Sequence, residues 1–374
     1  MCYLKPKDTL YFFLVPAILS AEPLFFQLPV FRTSLNYVFS NENWHHKLAT
    51  MNNYPLIFTI FAAKKYKYLY MSLLVIGTVA FDAIETPFGK TDKIVGGSAT
   101  FASLGASYFY DKIKIVAVVG DDFPQHEIED LQKHNVNTEG LQVKQGEKSF
   151  FWSGRYHNDM NSRDTLVTEL NVLEAFDPII PDSYQDCEYL MLGNLSPQVQ
   201  QTVIARLKNR PKLIVMDTMN FWMDIALDEL LKTIQLVDVL TINDAEARQL
   251  SGEFSLVKAA RKILTMGPKY IIIKKGEHGA LLFHEDKIFS APALPLAEVF
   301  DPTGAGDTFA GGFIGYMAKV GTINFNNMKN AIIFGSALAS FCVEKFGSER
   351  LRNLSEKEIA ARIQEFVGLS KFEL

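Results

Sequence analysis

Asp301-Pro302-Thr303-Gly304-Ala305-Gly306-Asp307-Thr308-Phe309 joins a turn, the start of a helix and a carboxylate in one short stretch. The residues that follow, through Met317, are largely apolar and contain no proline, so they can form a helix. Unpaired backbone N–H groups and the positive end of the helix dipole favour an anion at such a start, and glycines let it approach closely. Asp307 falls in the first turn, where it is placed to take a proton from a hydroxyl beside that anion.

The longer string DPTGAGDTFAGGF, from Asp301 to Phe313, resembles the C-terminal signature of the PfkB-type carbohydrate kinases, the ribokinase-like family. A bare GxGD segment is more often an ordinary tight turn followed by a helix-starting aspartate, but the full string is far more specific. The resemblance implies that Gly304, Ala305 and Gly306 form an anion hole for the γ-phosphate of ATP. It also implies that Asp307 is the catalytic base and that Thr303 contacts the nucleotide.

Composition predicts a globular protein, and the family resemblance implies that it acts on a small molecule in the cytoplasm. The chain has 374 residues and 48% hydrophobic content, which is ample for a buried core. Its net charge of -5 gives no reason to expect nucleic acid or an anionic membrane as a partner. The three scattered cysteines, and seven histidines without metal-ligand spacing, favour a reducing compartment and predict neither disulfides nor a zinc site.

Residues 1–70 differ in character from the rest of the chain. Leu10–Val30 is apolar and aromatic, but three prolines and Glu22 interrupt it, which argues against a membrane-spanning helix. Met71 begins a run that enters a buried strand directly, as a protein start would. We therefore expect residues 1–70 to be an extension that is either absent from the native product or poorly ordered, with a short signal-peptide core as the alternative. Residues 71–374 would be the kinase domain.

From residue 71 onward, β-rich runs alternate with helical ones. This alternation predicts a mostly parallel sheet with helices on both faces, and the family resemblance implies the ribokinase-like three-layer α/β/α sandwich. The strands are predicted at Leu73–Gly77, Lys114–Val119, Tyr189–Leu192, Leu213–Met216, Val237–Ile242 and Tyr270–Lys274.

One segment breaks the alternation, because Phe150–His157 and Arg163–Leu170 are predicted to be two strands around a polar turn. Such a hairpin has no place in the parallel sheet and should project from it. In ribokinase-like proteins a small β element covers the substrate, so the resemblance implies a β lid at about residues 85–95 and 149–170. A homodimer could form through this lid. An edge hairpin with no substrate role is the alternative.

Asp82 is predicted to lie just past the first strand, where open α/β sheets bind ligands, and its carboxylate can accept hydrogen bonds from two adjacent hydroxyls. The resemblance places Asp82, Gly96 and Gly97 at substrate-binding positions. Phe101 stands where many members have asparagine, so an aromatic surface would replace a hydrogen bond to the substrate. Asn220 resembles a further substrate contact, although a helix-capping role is at least as plausible.

Asn243 and Glu246 lie three residues apart at a strand-to-helix junction. Both can address one hydrated cation, and the resemblance associates them with magnesium and phosphate. A capping box is the alternative, and without the family match it would be favoured. The resemblance also implies nucleotide contacts at Lys274, Gly276, Gly279, Ala337 and Ser340.

Together these features predict an ATP- and Mg²⁺-dependent kinase that phosphorylates an alcohol group of a small polyhydroxy substrate, a sugar or a cyclitol. A nucleoside kinase is the alternative, favoured by Phe101 and by Phe151 and Trp152 in the predicted hairpin. A non-catalytic ligand-binding protein on the same fold is the third reading, which the intact Asp307 argues against.

Overall fold

The computed structural model describes residues 72–371 and 373, so the predictions for residues 1–70 and Met71 lie outside the described residues. The strands are β1 (Leu73–Ile76), β2 (Ala80–Thr86), β3 (Gly89–Lys90), β4 (Ile94–Gly96), β5 (Ile113–Gly120), β6 (Val136–Lys144), β7 (Phe151–Tyr156), β8 (Arg163–Glu169), β9 (Tyr189–Leu192), β10 (Leu213–Asp217), β11 (Val239–Asn243), β12 (Tyr270–Lys274), β13 (Ala280–His284) and β14 (Lys287–Ala291). The helices are α1 (Ser98–Ser107), α2 (Gln125–Lys133), α3 (Pro197–Arg206), α4 (Asn220–Ile225), α5 (Leu227–Ile234), α6 (Asp244–Ser251), α7 (Leu256–Leu264), α8 (Ala305–Val320), α9 (Phe325–Cys342) and α10 (Glu356–Ser370).

A nine-stranded sheet in the order β14-β13-β12-β11-β10-β9-β1-β5-β6 occupies the centre of the described region. The strands from β12 to β6 run parallel, whereas β13 and β14 are antiparallel additions at one edge. The predicted mostly parallel sheet is confirmed. Because the parallel strands end at the same edge, their following loops converge there.

Both faces of the sheet are buried. In β1, Leu73 and Val75 enter one apolar cluster with α1, α8 and α9, while Leu74 and Ile76 enter a second cluster with α3, α5 and α7. This alternation is the period of two expected of a strand covered on both sides, and each such side chain contributes about 2 kcal/mol on burial. None of the helices in the described part of the chain is long and apolar enough to cross a membrane.

The predicted hairpin is present as β7 and β8, and it belongs to a second sheet in the order β3-β2-β7-β8, with β4 pairing β2. We call this five-stranded sheet the lid. It begins earlier than predicted, because Ala80–Thr86 forms a strand instead of a loop after β1. Asp82 therefore projects from the lid itself. Pairing of β2 with both β4 and β7 provides the hydrogen bonds that this short segment cannot obtain locally.

Helices α1 and α8 pack backbone against backbone. A Cβ atom added to Gly311 would lie 2.0 Å from the carbonyl oxygen of Ala102, and one added to Gly315 would lie 2.8 Å from the Cα of Ala106. No residue larger than glycine fits at these positions unless one of the helices moves. The helix that carries Asp307 is thereby held against the helix that follows Gly97.

Some elements were not predicted. The short helix α4 is one of them, and the non-helical Ala226 separates it from α5. The sheet strands β6, β13 and β14 were also missed. β6 and β14 carry polar residues and lie at the two sheet edges, where the apolar pattern of a central strand is weak, and β13 is a short strand next to one edge.

Candidate active site

Gly304 is the N-cap of α8, with φ 75°, and the helix begins at Ala305. The backbone N–H of Ala305 donates to the carbonyl oxygen of Pro302 at 3.2 Å. Within the described residues, the N–H groups of Gly304 and Gly306 have no backbone acceptor. The predicted anion loop therefore has donors free for a ligand at the positive end of the helix dipole.

The loop is anchored from behind by Asp301, whose side chain is fully buried. Its two carboxylate oxygens accept from the backbone N–H groups of Thr303 and Gly347, each at 2.8 Å. Burial raises the pKa of Asp301, and these hydrogen bonds oppose the shift. The sequence contained Asp301 in the signature, but its anchoring role depends on the distant Gly347.

Phe101 supports the same loop. Its side chain is 1% exposed, and a Cβ atom on Gly304 would lie 2.4 Å from the ring. The ring thus packs beneath the anion loop, and the predicted aromatic surface for the substrate is almost entirely covered by protein.

Gly304→Ala is expected to lower the free energy of unfolding by about 1–2 kcal/mol, because the new Cβ meets both a left-handed backbone conformation and the Phe101 ring. Thermal and urea unfolding measure the effect. Gly368→Ala is the matched control, since no atom lies within 4 Å of its Cβ position in α10. The control should gain about 0.5–1 kcal/mol. Equal stability of the two variants would contradict the packing described for Gly304.

Asp307 lies in the first turn of α8 beside Asp217 and Lys274. Burial and the charge of Asp217 raise the pKa of Asp307 to about 7, while Lys274 and Arg163 act in the opposite direction. A carboxylate with this pKa is suited to accept a proton near neutral pH.

Lys274, at the end of β12, is the cation at the base of the loop. Its Nζ donates to Asp217 Oδ2 at 2.7 Å and lies 3.1 Å from a Cβ position on Gly306. Burial lowers the Lys274 pKa, but the charges of Asp217 and Glu246 outweigh this and the pKa is raised, so the ammonium form is held beside the loop. Asp217 was not predicted as a site residue, although it ends a strand at the ligand-binding edge.

Asp82 reaches the same region from the lid. A Cβ atom on Gly96 would lie 1.8 Å from Asp82 Oδ2, so only glycine allows this approach, and Gly97 donates a backbone hydrogen bond to the carboxylate. Burial and the charges of Asp301 and Asp307 raise the pKa of Asp82 to about 7. The structure thus brings Asp82, which was predicted to bind the acceptor substrate, close to Asp307, the predicted base. Asn220, in contrast, is exposed at the first residue of α4 and hydrogen-bonds none of these residues.

Asn243 and Glu246 form a capping box at the start of α6. Glu246 N donates to Asn243 Oδ1 and Asn243 N donates to Glu246 Oε2, both at 2.8 Å. Burial raises the pKa of Glu246 to about 7, Lys274 opposes the shift and Asp217 adds to it. Capping and cation binding are compatible here, because a second carboxylate oxygen remains and Asp217 is close enough to interact.

Among the described residues there is no cluster of three or more histidine, cysteine, aspartate or glutamate side chains that could hold a metal ion. Magnesium does not require one, because it is commonly held by one or two carboxylates together with substrate phosphates and water. Two neighbouring carboxylates fit such a cation, and the charge of Asp217 is close enough to Glu246 to raise the pKa of Glu246.

A cavity of about 480 Å³ adjoins the anion loop, and Asp82 does not line it. Its lining is mainly apolar and includes Gly276 and Gly279 together with the turn of the lid at Asp159–Asn161. On α9 the lining residues are Ser336, Ala339 and Ser340, whereas Ala337 is fully buried and does not line the cavity. The size and apolar character suit a purine base.

Two lid residues that were not predicted also face this region. The Oγ1 atom of Thr303 donates to the phenolic oxygen of Tyr156 at 3.2 Å, which links the anion loop to β7. Arg163, the first residue of β8, lies beside Tyr156. No local pattern distinguishes these two side chains from others in a polar hairpin, so only the packing of the lid identifies them.

The sheet, the lid and the anion loop together define a ribokinase-like protein. The chain belongs to the pfkB family of carbohydrate kinases, whose family model matches residues 72–353. A cytidine kinase of Thermococcus kodakarensis is 31% identical over 250 residues, which are 65% of this chain and 87% of that protein.

The nucleoside kinase structure of Methanocaldococcus jannaschii has a TM-score of 0.64 at 20% identity and covers 79% of this chain and 99% of its own. A ribokinase-like protein from E. coli, solved with ATP and Mg²⁺, has the same TM-score, identity and shares covered. Both likenesses establish the fold.

Proposed function

We propose that the protein is an ATP-dependent kinase that transfers a phosphoryl group to an alcohol of a small polyhydroxy substrate, a sugar or a cyclitol. The observation that carries this proposal is the position of Asp307, a buried carboxylate with raised pKa at a helix start that offers free N–H donors. Membership of the pfkB family supports it. The relatives include ribokinases and an inositol 3-kinase.

In the proposed reaction, the acceptor oxygen attacks the γ-phosphorus and a new O–P bond forms. The bond from that phosphorus to the bridging oxygen breaks, its electron pair leaves with ADP, and the hydroxyl proton moves to the Asp307 carboxylate. Backbone N–H groups of Gly304 and Gly306, with the Lys274 ammonium, hold the charge of the moving group. Asp82 and Gly97 orient the acceptor.

ATP would bind with its base in the 480 Å³ cavity, between Gly276, Gly279 and Ser340, and with its phosphates at the anion loop. Glu246 and Asn243, through water, and Asp217 would hold Mg²⁺, which supplies charge neutralisation on the phosphates. An E. coli protein of the same fold has been solved with ATP and Mg²⁺, which supports these two ligands.

kcat/KM is expected to fall as pH is lowered through about 7, because Asp307 must be ionised to accept the proton and its pKa is raised to about 7. Asp82 and Glu246 have raised pKa values of about 7 as well, so three protonations contribute to the acidic limb. A pH series on the wild type and on Asp82→Asn measures this. The variant should lose one of the three ionisations, with a shallower slope. A profile flat from pH 5 to 8 would contradict the base role.

A nucleoside kinase is the second candidate, and Trp152 favours it. Trp152 is paired with Asp82 in the lid, so both side chains project from the same face. Gly154 leaves room for the indole, since a Cβ there would lie 2.1 Å from the ring. An aromatic side chain on that face can stack on a nucleobase, and the 31% identical relative is a cytidine kinase.

The proposal is tested by ADP release from the full chain with ATP and Mg²⁺, across a panel of pentoses, hexoses, inositols and nucleosides. A single strong responder among sugars or cyclitols supports the first candidate, and one among nucleosides supports the second. Trp152→Ala separates them further, because it should raise KM only for an acceptor that carries a base. ATP binding without turnover on any acceptor would favour a non-catalytic ligand-binding protein.

A further inference from the structure

The turn that joins β7 to β8, residues 157–162, lies beside the cavity proposed for the base of ATP. Strand β7 carries Trp152 near its start, on the same face of the lid as Asp82. It ends at Tyr156, where Thr303 of the anion loop donates a hydrogen bond at 3.2 Å. Three residues of the turn that follows line the 480 Å³ cavity. The lid therefore reaches from the proposed acceptor position, past the anion loop, to this cavity.

Met160 is the apolar residue of this turn. Its five neighbours within residues 157–162 are polar or charged and exposed, whereas Met160 is partly buried and lines the cavity. Its φ of 53° lies in the left-handed region, which a bulky side chain rarely adopts. A strained backbone that directs an apolar side chain into a cavity is typical of a ligand contact.

Hydrogen bonds within the turn hold Met160 in this position. The Asp159 carboxylate accepts from the backbone N–H groups of Asn161 at 3.1 Å and of Ser162 at 2.9 Å, and from the Ser162 hydroxyl. The backbone N–H of Met160 donates to the carbonyl oxygen of His157 at 3.0 Å. The hydrogen bonds from Ser162 and Asn161 lower the pKa of Asp159, so its carboxylate is ionised at neutral pH. The turn is therefore formed before any ligand enters the cavity, which reduces the entropic cost of binding.

The opposite partner of the turn is the glycine-bounded segment after β12. A Cβ atom on Gly276, whose φ is 53°, would lie 2.5 Å from Asn161 Oδ1, so the close approach requires glycine. Other lining residues, such as Phe309 and Ser340, come from helices that pack on the central sheet. A planar base in this cavity would thus contact the central fold and the lid together.

We propose that Met160 packs against the nucleobase of the phosphoryl donor, so that the lid turn is part of the donor site. This inference rests on the proposed kinase function. The thioether is a weak hydrogen-bond acceptor, and it supplies affinity by covering the base from water and by the contact of sulfur with an aromatic ring. A ligand made of phosphate groups alone would occupy the anion loop and leave Met160 without a partner.

The test uses Met160→Gly in the full chain, because glycine removes the side chain and adopts the left-handed backbone without strain. The Kd of ADP with Mg²⁺ and the KM for ATP should each rise about tenfold, while kcat and the KM for the acceptor change little. The Kd of tripolyphosphate, which has no base, should be unchanged. Met160→Leu keeps the apolar bulk and should retain most of the ADP affinity. Leu166→Ala, which shortens an exposed side chain of β8 outside the cavity, should match the wild type.

The binding measurements keep this inference separate from the kinase proposal. Unchanged ADP affinity in Met160→Gly would overturn the contact, even if the wild type proves to be a kinase. An equal loss for ADP and tripolyphosphate would overturn it as well, because the substitution would then act on the phosphates. If the wild type binds ADP and transfers no phosphoryl group, the kinase proposal fails, and a loss confined to ADP would still support the contact. Absence of ADP binding would overturn both.

Discussion

Asp307→Asn is expected to lower kcat by about a hundredfold or more, while the KM for ATP changes little. The amide keeps the size of the side chain and cannot take the proton of the acceptor hydroxyl. Because burial raises the pKa of Asp307, an ionised carboxylate there is unfavourable for folding, and the neutral amide should leave the melting temperature equal or higher. Loss of activity with undiminished stability would assign the residue to the reaction.

Asp228→Asn is the matched control, since Asp228 also lies in the first turn of a helix but is exposed on the surface. Like Asp307, Asp228 lies near the positive end of a helix dipole, but no anion loop precedes its helix. Its steady-state rate should equal that of the wild type. Turnover retained in Asp307→Asn at the level of this control would remove Asp307 from the role of base.

Lys274→Met is expected to lower kcat/KM by about a hundredfold or more, for two reasons that act together. The variant loses an ammonium group beside the anion loop, and it loses the charge that opposes the raised pKa of Asp307. With Lys274 gone, Asp307 should be protonated at higher pH, so the acidic limb of kcat/KM should move upward. Steady-state kinetics from pH 5 to 9 measure both effects.

The same variant should be less stable by about 3 kcal/mol, because Asp217 would keep a buried charge without its partner. Adding Asp217→Asn to Lys274→Met should recover most of this loss without recovering activity. Lys275→Met is the control, since Lys275 makes no ion pair within the described residues. If it impaired turnover as strongly as Lys274→Met, the assignment of the cation would be wrong.

The features that the sequence predicted best are those formed by residues close together in the chain. The string from Asp301 to Phe313 contains its own turn, helix start and carboxylate, and the structure places Gly304 at the N-cap and Asp307 in the first turn. The buried parallel strands were likewise predicted, because they are continuous apolar runs. Gly276 and Gly279, predicted as nucleotide contacts in the glycine-bounded turn after such a strand, line the cavity, and their contact with a nucleotide stays a prediction.

The features that were missed depend on contacts distant in sequence. Arg163 and Tyr156 are ordinary hairpin residues until the lid packs on the loop at Thr303, well over a hundred residues further along the chain. Asp82 was expected in a loop, since nothing in Ala80–Thr86 reveals its pairing with β7. Ala337 was placed on the cavity wall, whereas the rotation of α9 presents Ala339 instead. Such a rotation is set by packing and cannot be read from apolar spacing alone.

The backbone contact of α1 with α8 has a consequence for how acceptor preference can change. Gly311 against Ala102, and Gly315 against Ala106, leave no side chain between the two helices that could shorten or lengthen their separation. The spacing between Gly97, which precedes α1, and the anion loop, which begins α8, is therefore set by a contact that tolerates almost no substitution. The lid strands carry this restriction only at close-packed glycines such as Gly96 and Gly154, so new acceptors can arise by substitution elsewhere in the lid while the transfer step is inherited unchanged.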